Sequence, residues 1–83
     1  MAVDTVLTRN ILDVLAALGD HGREQSALAT EVELRMDARV TVQQVEQVLS
    51  FARSKGWVAK RDDAFGQPRW YITDAGANRQ AQF

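Results

Sequence analysis

The side chains with the most chemistry to offer lie close together: Thr41, Gln43, Gln44 and Gln47, at the start of one helical segment. A glutamine amide carries a donor and an acceptor side by side, the pattern that matches the edge of an adenine in a major groove. Helical spacing puts Gln43 and Gln47 one turn apart on the same side. The same residues also suit a plain solvated helix face, and Gln44 has a competing role in the helix cap described below. Arg35, Arg39 and Arg53 flank this segment, and their guanidinium groups fit phosphate oxygens as readily as they fit an ordinary charged surface.

A catalytic centre is not marked out. His21 is the single histidine, in the glycine-flanked turn Gly19-Asp20-His21-Gly22, and there is no cysteine to share a metal with it. No glycine-rich phosphate loop follows a strand, no nucleophile, base and orienting acid are set out together, and Asp62-Asp63 is too short a pair to hold a metal. The expectation is a protein that is not an enzyme, with no cofactor and no metal.

Three start signals coincide in Val40-Thr41-Val42-Gln43-Gln44-Val45: Thr41 as N-cap, Gln44 completing a capping box, and Val40 with Val45 as a hydrophobic staple. Val42, Val45, Val48, Leu49 and Ala52 then recur at helical spacing, opposite Gln43, Gln44, Glu46, Gln47, Ser50 and Arg53. This predicts an amphipathic helix over about 41–55, closed by Gly56 in a left-handed conformation. Two strand-like segments follow, Trp57 to Arg61 and Arg69 to Thr73, joined by a loop with Gly66 and Pro68 as punctuation. Lys60, Arg61 and Arg69 fall near the strand ends, where Asp62 and Asp63 either oppose a polyanion or hold Lys60 or Arg61 in place. Phe65 is an apolar residue in a polar loop; the expectation is that it folds back on the strands, the alternative being a protein contact. Trp57, Trp70 and Tyr71 resemble a stacking platform in type, but alternation sends Trp70 and Ile72 to one face and Tyr71 to the other, so packing is the expectation.

Upstream, Leu7, Ile11, Val14, Leu15 and Leu18 trace a first helix starting near Asp4 or Thr5 and stopping at Gly19. Arg23 to Gln25 reads as a short extended piece before Ser26, which caps a second helix from Ala27 to about Leu34. Thr73 caps a last short helix in which Gly76 permits close approach by the first helix or the hairpin. The final residues are expected to fray unless Phe83 finds a groove.

Eighty-three residues with 46% hydrophobic and 25% charged side chains describe one modest folded domain over 1–83, too short for a second, ligand-holding one. No apolar run approaches a membrane span, and Met1 to Thr5 lack the basic start and apolar core of a signal peptide, so a cytoplasmic location is expected. The net charge of −1 removes the simplest argument for a polyanion partner. Its distribution restores some of that argument: residues 1–34 hold two basic and six acidic residues, whereas residues 35–83 hold eight basic and five acidic.

The element order and the matches at Thr41, Val45, Leu49, Gly56, Trp57 and Val58, with Tyr71-Ile72-Thr73-Asp74-Ala75-Gly76 at the hairpin exit, resemble a winged helix-turn-helix domain. The plan is similar to the MarR, ArsR and PadR groups of small regulators and covers roughly Leu7 to Ala77. The resemblance implies an α+β, mainly α fold with a three-helix core, a two-stranded wing and a short C-terminal helix. It further implies double-stranded DNA as partner, a recognition helix in the major groove, and a wing over 57–73 on the backbone. A homodimer would have to use the first helix, the last helix or Phe83. A protein-interaction adaptor without DNA binding is the alternative. Two departures stand out. More residues separate Leu28 from Thr41 than a tight turn needs, without the usual glycine, so the second helix is extended or the turn is a loop. Glutamines and Glu46 also stand where many relatives place Arg or Lys.

Overall fold

The computed structural model describes residues 4–83. In chain order the elements are α1 (Thr5–Leu18), a 3-10 turn (Gly19–His21), α2 (Gln25–Met36), α3 (Val42–Ser54), β1 (Val58–Asp62), β2 (Pro68–Ile72) and α4 (Asp74–Ala81). Asp4 starts α1 by accepting the Leu7 N–H at 3.1 Å, and Gly19, at φ +56°, stops it. The buried face of α1 is wider than the expected stripe. Leu12 is fully excluded from solvent, and Thr8 is buried with its hydroxyl donated to the Asp4 carbonyl at 2.8 Å. Ile11, Leu12 and Leu15 meet Leu28 and Val32 of α2 and Val45 and Leu49 of α3 in one core cluster. Each such side chain contributes about 1.5–3 kcal/mol by leaving water.

The second helix differs at both ends from the sequence expectation. It begins at Gln25 rather than Ala27, and neither Ser26 nor Glu24 makes a side-chain cap. A long-range tie has replaced local capping. Arg23 exchanges two backbone hydrogen bonds with Trp70, at 3.0 and 2.9 Å, so the short extended piece expected there is held against β2 and the helix turns in directly behind it. At the other end α2 continues past Leu34 to Met36, which packs on the core, and Asp37 closes it at φ 50°, ψ 44°. Aspartate is among the few non-glycine residues that enter this left-handed region at modest cost.

The strands pair antiparallel in the register Val58↔Ile72, Ala59↔Tyr71, Lys60↔Trp70, Arg61↔Arg69 and Asp62↔Pro68. Val58 and Trp70 are buried on the face toward the helices. The ladder starts one residue later than expected, because the Trp57 N–H is taken by the Ala52 carbonyl at the helix exit. Thr73 caps α4 by accepting the Gly76 N–H at 3.0 Å. A Cβ on Gly76 would overlap the Trp57 carbonyl oxygen and stand 2.8 Å from its carbon, so the close approach is made by the hairpin base. Phe83 does find a place, half-buried against the core with the Arg79 guanidinium 4.5 Å from its ring centre.

Candidate nucleic-acid interface

The start of α3 is fixed by reciprocal bonds. Thr41 Oγ1 accepts the Gln44 N–H at 3.1 Å and Gln44 Oε1 accepts the Thr41 N–H at 2.9 Å. Two otherwise unpaired donors of the first turn are thereby satisfied. Gln44 thus has its amide oxygen committed to the cap, and only its NH₂ group is left for a ligand. Gln43 and Gln47 are exposed and, among the described residues, make no side-chain hydrogen bond within the chain. Ser50 and Ser54 extend the same side of the helix, although the Ser54 hydroxyl turns back to the Phe51 carbonyl at 2.6 Å. On the opposite side Val45, Val48, Leu49 and Ala52 are buried. Val42 is not; it is 46% exposed, beside the cap, where the helix has not yet entered the core.

The connection before α3 explains the missing glycine. Asp37 supplies the left-handed turn and donates its N–H to the Glu33 carbonyl, while the Glu33 carboxylate accepts the Val40 N–H at 3.4 Å. Both alternatives drawn from the sequence occur together: α2 is extended, and residues 37–41 form a loop.

Of the cations expected around α3, Arg35 is drawn away. Its Nη2 lies 3.5 Å from Asp13 of α1, a carboxylate that also accepts from Gln80 of α4 at 2.9 Å. Arg39 and Arg53 are exposed and have no ion-pair partner within 4.0 Å among the described residues. In the hairpin the Lys60 ammonium lies 5.8 Å from the Trp70 ring centre, and the Arg61 guanidinium lies 4.5 Å from that of Tyr71. Stacking leaves both charges un-neutralised. Arg69, directly across from Arg61, is neutralised: its Nε is 3.2 Å from Asp63 Oδ2, and its Nη1 donates to the His21 carbonyl at 3.3 Å. Like charges opposed across a ladder repel, and the Asp63 pairing relieves this. Asp63 therefore holds Arg69 rather than Lys60 or Arg61.

Asp63 also organises the loop. Its Oδ1 accepts the N–H groups of Phe65 and Gln67, both at 2.9 Å, and Gly66 takes φ +77°. The Gln67 N–H, with the Phe65 N–H and Arg69 adding to it against partial desolvation, holds the Asp63 carboxyl below its ordinary value. Phe65 does not fold back: it is 89% exposed at the loop tip. The loop's pinning was missed by the sequence reading, although an aspartate two residues before an N–H in a turn is the pattern of an Asx-turn. Arg79 was missed as well; it lies between the rings of Trp57 and Phe83, 5.5 and 4.5 Å from their centres.

Among the described residues no group of three or more His, Asp or Glu is placed to hold a metal, and no helix is long and apolar enough to cross a membrane.

No protein-family model matches the chain, and no curated protein matches it by sequence. Solved structures do match by shape. A MarR-family transcriptional regulator from Silicibacter pomeroyi superposes with a TM-score of 0.78 at 19% identity over 94% of this chain. RosR from H. salinarum superposes with a TM-score of 0.79 at 23% identity over 95%. The fold is a winged helix-turn-helix. In that frame α2 and α3 form the helix pair and β1–β2 is the wing. F-93 of SSV1 shares the fold, with a TM-score of 0.76 at 18% identity over 92% of this chain. The chain spans 48% of the S. pomeroyi protein, 69% of RosR and 79% of F-93.

Proposed function

We propose that this winged helix binds double-stranded DNA within a transcriptional regulator, with α3 in the major groove and the wing along the flanking backbone. The observation that carries the reading is the outer face of α3. Gln43 and Gln47 are exposed and unbonded on a helix whose other side is locked into the core, so their amides can be offered to base edges without loss of stability. Arg39, Arg53, Lys60 and Arg61 carry the phosphate contacts, because their charges are free. Arg35 and Arg69 join them only by giving up the ion pairs with Asp13 and Asp63. Regulators named among the solved neighbours support the class of function. A second copy would complete the reader, since one helix addresses too few bases for useful discrimination. The exposed sides of α1 and α4 are available for it, whereas Phe83 is already packed on its own core.

The adaptor reading is favoured by one set of residues. The stripe Gln43, Gln47, Ser50 bears no cation, Glu46 sits beside it, and the net charge is −1. A titration of random-sequence duplex DNA across salt concentrations, followed by amide chemical-shift mapping, decides between the two. DNA binding gives a steep salt slope with shifts confined to Arg39–Arg53 and the wing. Absence of binding at low salt removes the DNA reading and leaves the adaptor.

A further inference from the structure

The wing tip combines two features that do not ordinarily occur together. Phe65 is the most exposed large apolar side chain among the described residues, at 89%, and its backbone N–H is held by the Asp63 carboxylate at 2.9 Å. One Asp63 oxygen accepts the Phe65 and Gln67 N–H groups, while the backbone of Asp63 accepts from Gly66 at 3.0 Å and donates to Gln67 at 2.8 Å. Its other oxygen binds Arg69, which is itself tied to the His21 carbonyl in the body of the domain. A tip built only for solubility would carry a polar residue and need none of this. Here the loop is ordered before any partner arrives, as a binding element requires.

The surroundings of the ring limit what it can enter. The exposed neighbours are small or polar, Ala64, Gly66, Gln67 and Pro68, so the tip presents one large ring flanked by a methyl group and a proline rather than a broad patch of large apolar side chains. A stable protein interface needs about 800 Å² from each partner, with aromatic anchors ringed by packed neighbours. A base step needs only the ring. Apolar wedges of this kind enter from the minor groove, separate adjacent stacked base pairs and bend the duplex. The charges also fit. Asp63 is neutralised by Arg69, so Lys60 and Arg61 face a single uncompensated carboxylate, Asp62, and can hold the phosphates beside the tip.

We infer that Phe65 is a minor-groove wedge, inserted at a deformable pyrimidine–purine step next to the site addressed by α3. The inference rests on the DNA-binding reading and adds to it a second, shape-based source of sequence preference, since the cost of unstacking a step depends on which step it is.

The test uses the full chain and a duplex enriched on it from a random pool. End-to-end fluorescence transfer reports bending, and 2-aminopurine at each pyrimidine–purine step in turn reports unstacking. The wild type should bend the duplex and brighten 2-aminopurine at one step. Phe65→Ala should abolish both and weaken affinity by about tenfold, within the range for loss of one base–aromatic contact. Phe65→Leu, still apolar and wedge-shaped, should retain most of the bend. Circular dichroism should be unchanged in both variants, because the side chain packs on nothing. Unchanged bending and affinity in Phe65→Ala would overturn the wedge and leave the DNA reading intact. Loss of a captured protein with duplex binding untouched would overturn it in favour of a protein contact. Failure of the wild type to enrich or bind any duplex would overturn both.

Discussion

Helix α3 and the hairpin solve the same problem in opposite ways. The helix commits its apolar side to the core and its first turn to the Thr41–Gln44 box, leaving Gln43 and Gln47 without a side-chain hydrogen bond among the described residues. The hairpin turns much of its polarity on itself: Asp63 takes two backbone N–H groups and Arg69, and Arg61 stacks on Tyr71. What it leaves free is an apolar ring and two unpaired cations. A residue's availability to a partner is thus decided by what it already bonds. Charge alone does not separate Arg35 and Arg69, which have carboxylate partners, from Arg39 and Arg53, which have none among the described residues.

The largest effects are expected where each element is anchored to the core. Leu49→Ala empties a fully buried site under α3 and should cost about 2–5 kcal/mol in denaturant unfolding, enough to unfold much of a domain this small. Gly76→Ala attacks the hairpin's base. The new methyl meets the Trp57 carbonyl, which is backbone and cannot swing aside, so a loss on the order of 1–3 kcal/mol is expected, with the largest amide shifts at Trp57 and Thr73.

Gln43→Ala and Gln47→Ala should separate stability from recognition. Stability should stay within about 0.5 kcal/mol, while base preference measured by competition among duplexes should change by about 1–3 kcal/mol per lost contact. A variant whose preference is unchanged does not read a base. The smallest effect belongs to acid. Asp63 has its folded pKa depressed, so the loop order it supplies is present above the unfolded value of about 4 and fades as pH falls through the lower folded value. The Phe65 and Gln67 amide resonances should therefore hold steady at neutral pH and move only in acid, and Asp63→Asn should flatten that movement.

Local chemistry was what the sequence made legible. The cap and box at Thr41 and Gln44 lie within four consecutive residues, and both are present, with Val40 and Val45 buried beside them; the Thr73 cap and Gly56 at φ +76° are present as well. The start of α2 was not legible, because the Arg23–Trp70 bridge sets it from the far end of the chain. Its end was hidden by Asp37 standing in for glycine. Among the candidate site residues, the exposure of Gln43 and Gln47 followed from helical period alone. The diversion of Arg69 did not, since the His21 carbonyl it reaches is 48 residues away in sequence. Phe65 ran against hydrophobicity itself: the tip is pinned by Asp63 in a shape that keeps the ring off the strands.

The most direct test of the account compares salt slopes for duplex binding in Arg53→Ala and Arg69→Ala. A free cation on a phosphate should release about one counterion, so Arg53→Ala should lower the slope of log K against log salt by about 0.9, whereas Arg69→Ala, whose charge is already met by Asp63, should leave it nearly unchanged. Equal losses in the two variants, or binding without salt dependence, would contradict the division between free and committed charge on which the proposed interface rests.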